Sequence, residues 1–246
     1  MLRAALAGVA AAASLTIVPA PAVADEVACS ALTPTIVGTP GPDRIVGTES
    51  RDVIFAGDGD DVVLGHGGDD YICLGEGDDL ARGGAGVDEI DGMGGDDTLQ
   101  GESGTDWLRG QEGDDRLVAG PSDFTPLASY LSGGPGNDVL LGGAWPDHLD
   151  GGDGDDLVRG GWGSDQIYGK GGDDELHGGY GNDWIDGYEG VDRLYGENGN
   201  DRLTADIPFE PPTGETGQTV VGGNGNDRCD GGASPAELSC EGTTAP

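Results

Sequence analysis

Gly151–Arg159 reads GGDGDDLVR: three aspartates and three glycines in six residues, then an apolar pair, Leu157–Val158. Carboxylates this close repel one another, and glycines weaken any regular element they interrupt. Read alone, the stretch looks self-destabilising. Laid beside Gly65–Cys73 (GHGGDDYIC) and Gly101–Arg109 (GESGTDWLR), it becomes one copy of a nine-residue unit. Nine units run without a gap from Gly38 to Val118, eight from Gly133 to Thr204, and one more covers Gly222–Asp230. All eighteen carry Asp at the sixth position and an apolar residue at the eighth, as at Ile45, Val63, Ile90, Leu108, Val158 and Ile185. Position four is Gly except at Ser50 and Trp145, and position one is Gly except at Ala56 and Leu74. A fixed period of this kind is the signature of a stacked repeat architecture.

The register reaches beyond these units. Cys29–Val37 keeps Ile36 at the eighth position but has Pro34 at the sixth, and Gly231–Ser239 keeps Leu238 but has Ala236. Each keeps the strand and loses the acid, as the caps of a stacked array do. Counting back from Gly133 puts Leu131 at an eighth position, and counting back from Gly222 puts Val220 there. Residues 119–132 and 205–221 are therefore expected to be half-turns with enlarged loops rather than linkers. The expected organisation is a segment 1–24 apart from the rest, a cap at 25–37, one continuous solenoid over 38–230, and a cap and tail at 231–246.

Composition bounds the functions open to such a chain. Its 246 residues include 51 Gly and 47 Asp or Glu against 11 Lys or Arg, a formal net charge of −36. Nucleic acid and anionic membrane would both repel it. Low aromatic content with high net charge lies near the disordered class unless something neutralises the acids. Within 1–24, Arg3 precedes an apolar run from Ala4 to Val18, and Ala22–Val23–Ala24 precedes Asp25. That is the layout of a secretory signal peptide, so an extracellular location is expected. The run is short for a membrane span, and no other segment is apolar enough for one. Cys29, Cys73, Cys229 and Cys240 in an exported chain suggest disulfides. Three pairings exist, and sequence proximity favours Cys29–Cys73 and Cys229–Cys240.

The period also carries the chemistry. Three residues around position eight form a short strand and six form a Gly-rich turn, so two units make one coil. Units two apart then stack at the spacing of parallel strands, about 4.8 Å. That lines the sixth-position aspartates into columns which repel strongly without a cation. Glycines let the turn backbone aim carbonyl oxygens inward. Carboxylate plus carbonyl is a hard, all-oxygen set, suited to Ca²⁺ rather than to Mg²⁺ with its tighter octahedron.

The units closely resemble the pattern G-G-x-G-x-D-x-U-x of the RTX, or haemolysin-type, calcium-binding repeats, across nearly all of the chain after residue 24. The resemblance implies an all-β fold, a right-handed parallel β-roll with Ca²⁺ between successive turns on each side. Carried over by residue, it makes Asp61, Asp70, Asp79, Asp88, Asp97, Asp106 and Asp115 ligands in the first run of units. Asp138, Asp156, Asp165, Asp174, Asp183, Asp192 and Asp201 follow in the second. Asp43, Asp52, Asp147 and Asp227 fill the same position in units that depart from the pattern or stand apart from the two runs. Pro42, Ser50–Arg51 and Trp145–Pro146 are the departures. Up to about a dozen ions are implied. Acids at position five, such as Asp60, Asp78 and Asp155, are expected to add carbonyls and negative field. An N-terminal signal differs from the C-terminal export signal of the family's toxins, which argues against a toxin.

Other chemistries fit less well. Asp58–Asp60 and Asp153–Asp155 resemble the start of an EF-hand, but the twelfth residue would be Asp69 or Ser164, and both triplets fall in the nine-residue register. His66, His148 and His177 occupy different positions of separate units without H-E-x-x-H, against a zinc site. No G-x-S-x-G occurs, and the period accounts for the acids that could imitate a glycosidase pair. No catalysis is expected. Trp162 and Tyr180 share position three, one coil apart, and would form a strip for a glycan or protein partner if exposed, or shield turn backbone if not. A module for adhesion or glycan binding, or a remnant of an RTX hydrolase, is the alternative to a stand-alone calcium-binding roll.

Overall fold

Each unit contributes a strand because positions seven to nine alternate outward, inward, outward, the period of a pleated strand with one face buried. In Arg44–Val46 only Ile45 turns inward, and in Leu157–Trp162 Val158 does so first. The computed structural model describes residues 29–121, 128–205, 218–230 and 237–240. The segment expected as a signal peptide, the centres of both enlarged loops and most of the C-terminal cap lie outside the described residues. The chain divides into a first unit, Met1–Leu32, and a second, Thr33–Pro246. Of the first, a 3-10 turn at Cys29–Ala31 is described. No helix among the described residues is long and apolar enough to cross a membrane.

The second unit is a parallel β-solenoid. Consecutive strands alternate between two sheets of eleven strands each, so every neighbour in a sheet is one coil away. The first sheet runs in register through Ile36, Ile54, Ile72, Ile90 and Leu108, in steps of eighteen residues. The second does the same through Ile45, Val63, Ala81, Leu99 and Leu117. At the first enlarged loop the step lengthens while register holds, pairing Leu108 with Leu131 and Leu117 with Leu140. At the second, Leu194 pairs with Val220 and Leu203 with Cys229. The strands on either side thus keep their register.

The core is a thin double row of the eighth-position side chains, almost all fully buried. Position one also faces inward, which the periodicity alone did not reveal. Wherever it is not Gly it joins the core, as Ala56, Leu74, Ala119 and Ala205 do. One or two inward apolar groups per nine residues is little burial to set against the ordering of nine backbones. A second source of stability is required, and the turns are where it must act. Covalent staples add to it: Cys229 and Cys240 form a disulfide with Cα atoms 6.2 Å apart. Cys29 and Cys73 are also disulfide-bonded.

Candidate metal centre

The turns stack as regularly as the strands. Position-four amides donate to position-three carbonyls of the next coil, for example Gly77 N to Gly94 O at 2.8 Å and Gly172 N to Glu189 O at 2.9 Å. Position two is held at positive φ. Seven non-glycine residues adopt it there: His66, Met93, Glu102, Gln111, Lys170, Tyr188 and Glu197, with φ between 68° and 85°. The stacked turn imposes this conformation against residue preference. The sequence hint was the glycine that fills this position in many of the units.

The sixth-position aspartates form two buried columns. In one, the backbone N–H of Asp61 donates to Asp79 Oδ1, that of Asp79 to Asp97 Oδ1, and that of Asp97 to Asp115 Oδ1, at 2.6, 2.8 and 2.8 Å. It continues from Asp115 through Asp138, Asp156 and Asp174 to Asp192. The other runs from Asp52 through Asp70 and Asp88 to Asp106, and from Asp147 through Asp165, Asp183 and Asp201 to Asp227. Each Oδ1 is therefore occupied by the coil before it. The second oxygen, Oδ2, is buried without a hydrogen-bond partner at fifteen aspartates: 61, 70, 79, 88, 97, 106, 115, 138, 156, 165, 174, 183, 192, 201 and 227. Buried acceptors are normally satisfied, so a whole column of orphaned carboxylate oxygens calls for a positive partner.

The space beside these atoms is bounded by oxygen. A Cβ at Gly65 would lie 2.4 Å from the Gly83 carbonyl oxygen and 2.6 Å from Asp70 Oδ2. At Gly65 the carboxylate of its own unit and a carbonyl of the next coil converge. Among the described residues no three acidic, His or Cys side chains come together. A cation in the turns would thus be held by one or two carboxylates and completed by backbone carbonyls, the hard donor set of Ca²⁺. The residues fit the ion. When bound, calcium supplies the charge that cancels the Oδ2 columns and ties adjacent coils together.

The four aspartates in departing or isolated units separate. Asp227 has an orphaned Oδ2 like the main set. Asp147 is buried and in line, with Ser129 N donating to its Oδ1 at 2.8 Å. Asp43 and Asp52 differ, because their Oδ2 atoms accept the amide hydrogens of Thr39 and Thr48 at 2.5 and 2.7 Å. Both threonines stand at position two and are absent from the positive-φ set. A β-branched residue resists that conformation, and the amide turns to the carboxylate instead.

Three features escaped the sequence reading. Ser129 and Gln218, buried in the two enlarged half-turns, take the place of an aspartate: Ser129 interrupts one column between Asp106 and Asp147, and Gln218 follows the last aspartate of the other, Asp192. The Gln218 amide donates to the Gly190 carbonyl at 3.2 Å, an amide hydrogen facing a turn oxygen. Position-five side chains build an exposed outer ladder: Asp96 N donates to Asp78 Oδ1, Asp114 N to Asp96 Oδ1 and Asp173 N to Asp155 Oδ1. These acids brace the turn as well as charging it.

Burial, opposed by the donated N–H and reinforced by neighbouring aspartates, pushes the column carboxyls upward. Asp97 and Asp174 reach about 8, Asp88, Asp138, Asp156 and Asp201 about 7, and Asp79 and Asp183 about 6. An unfolded aspartate titrates near 3.9. The metal-free coil therefore binds more protons than the unfolded chain. Its protonation-linked stability is complete below about pH 4 and is lost as pH rises through about 6 to 8. In excess chelator, acidification from pH 8 to 5 is expected to increase the strand signal in circular dichroism. An unchanged spectrum would show that carboxylate repulsion does not limit the metal-free fold.

A parallel solenoid with buried columns of all-oxygen donors defines a class, the metal-binding β-rolls. The family profile of the RTX calcium-binding nonapeptide repeat (four copies) matches residues 37–72, 74–108, 91–123, 132–167, 168–203 and 219–234. The chain belongs to that family, and its repeats are calcium-binding repeats. No curated protein matches it.

Proposed function

We propose that this is a secreted, non-catalytic protein whose β-roll folds on binding about a dozen Ca²⁺ ions. The observation that carries the reading is the pair of columns of orphaned, buried Oδ2 atoms. Fifteen uncompensated buried carboxylates oppose folding at neutral pH, so the free energy of ion binding becomes free energy of folding. The signal-like segment Met1–Ala24 supports export. A chain left unfolded at low intracellular Ca²⁺ would be ordered by the higher Ca²⁺ outside. Support for a non-catalytic role comes from the side chains that catalysis would need. Both ring nitrogens of His177 are engaged, by Glu197 and Glu175 at 3.0 Å each. His148 is packed between the tilted rings of Tyr130 and Tyr168.

The test is a Ca²⁺ titration followed by circular dichroism and calorimetry together. The expected result is a cooperative gain of strand signal with uptake of several ions per chain. A strand-rich spectrum that persists in excess chelator at pH 7.5 would overturn the coupling.

A further inference from the structure

Basic side chains are scarce, yet five of them share one face. Arg44, Arg82, Arg116, Arg159 and Arg193 all point outward from the second sheet and all are exposed. They lie in Arg44–Val46, Leu80–Gly86, Arg116–Gly120, Leu157–Trp162 and Arg193–Asn198, which are every second strand of that sheet. At a strand spacing of about 4.8 Å the arginines repeat every ~10 Å along the roll. They alternate between positions seven and nine and so form a zigzag of two rows.

These arginines differ from the cations of the first sheet. There Arg109 is bonded to Glu89, Lys170 lies 3.4 Å from Asp150, and Arg202 covers the Trp184 ring at 4.8 Å. On the second sheet, Arg44, Arg116, Arg159 and Arg193 make no close ion pair among the described residues. Arg82 reaches Glu102 only at 3.8 Å. Outward neighbours are mostly uncharged, such as Val62, Leu64, Val139 and Leu141. Glu175 is the one acid among them at positions seven and nine between Arg44 and Val221, and His177 holds it. At the ends of two neighbouring strands of this sheet, Leu157–Trp162 and Glu175–Tyr180, Trp162 and Tyr180 stand 64% and 53% exposed, with ring centroids 4.8 Å apart. The Trp107, Tyr130 and His148 rings of the first sheet pack at a similar spacing but are half-buried.

We propose that this face binds a linear acidic polysaccharide carrying one carboxylate on every second sugar. Widely spaced guanidinium groups match such a polymer, because a sugar ring in an extended chain advances by about one strand spacing. Apolar side chains between them suit the C–H faces of the rings, and Trp162 with Tyr180 offers a stacking platform. Nucleic acid fits worse, since a phosphate every 3.4 Å along a strand leaves most charges unmatched against a chain of net charge −36. The inference rests on the calcium reading, because bound Ca²⁺ removes the field of the aspartate columns from the neighbouring arginines.

The experiment uses the full Ca²⁺-loaded chain and hyaluronate, which has one carboxylate per disaccharide and a neutral sugar between. Titration calorimetry should show binding that weakens with salt. Arg116→Gln with Arg159→Gln should reduce affinity about tenfold or more, while leaving the spectrum and Ca²⁺ uptake unchanged. Arg202→Gln on the opposite sheet should leave affinity unchanged. No binding by protein that shows the full strand signal overturns the inference and spares the calcium reading. So does binding indifferent to the arginine pair, or equal binding to duplex DNA or to phosphatidylserine vesicles. Absence of strand signal in Ca²⁺ overturns both.

Discussion

Gly181→Ala is expected to split the solenoid, removing about a third of its strand signal even in saturating Ca²⁺. Gly181 is a fourth-position residue with φ of 149°, and an added Cβ would lie 1.3 Å from the Gly163 carbonyl oxygen one coil away. No side-chain rotation can relieve that contact, because both partners are backbone. The two coils must separate, and the hydrogen bond from Gly181 N to Asn198 O is strained with them. The cost is several kcal/mol, the size at which a local change unfolds a cooperative segment. In a stacked array each coil contacts only its neighbours, so coils far to the N-terminal side should survive. Limited proteolysis should therefore give a stable N-terminal fragment. Gly171→Ala is the control: an added Cβ there meets only Asp153 Oδ1, at 3.4 Å. It should leave spectrum and melting temperature within error of the parent. Equal behaviour of the two variants would mean that close coil contact does not govern the fold.

The architecture was readable because the code is nearly binary. An inward apolar residue at position eight and an acid at position six recur at one spacing, and two units per coil follow from it. Even the enlarged half-turns could be placed, since Leu131 and Val220 fall in register once the units are counted backward. The positions where a column loses its aspartate were harder to see, because Ser129 and Gln218 sit in units that lack Gly at positions one and four. The closed state of Asp43 and Asp52 was also hidden. It depends on whether position two enters the left-handed region, a backbone property set by Thr39 and Thr48 and not by the acids themselves. The arginine zigzag was invisible to a reading by nines. It becomes a line only when alternate units are assigned to separate sheets and every second strand is compared.

Asp156→Asn is expected to change sign with calcium. The Asp156 Oδ1 accepts the Asp138 N–H at 2.8 Å, and an asparagine oxygen can keep that bond. Oδ2 is the atom without a partner, and burial drives the carboxyl up to about 7. Replacing it with an NH₂ group removes a buried charge and puts a donor where a turn carbonyl lies close, the arrangement Gln218 already makes with Gly190. In excess chelator the variant should be no less ordered than the parent, and at pH 8 slightly more so. In saturating Ca²⁺ the order reverses, because the ion loses a carboxylate shared between coils. Stability should fall by about 3 kcal/mol and one or two ions should be lost from the stoichiometry. Asp43→Asn makes the comparison, since its Oδ2 is occupied by Thr39 N and Oγ1, and the ion count should not change. A merely structural aspartate would be damaged equally in both conditions. Only a carboxylate whose stabilising partner is the metal gives opposite signs, so parallel losses with and without Ca²⁺ would remove Asp156 from the ligand set.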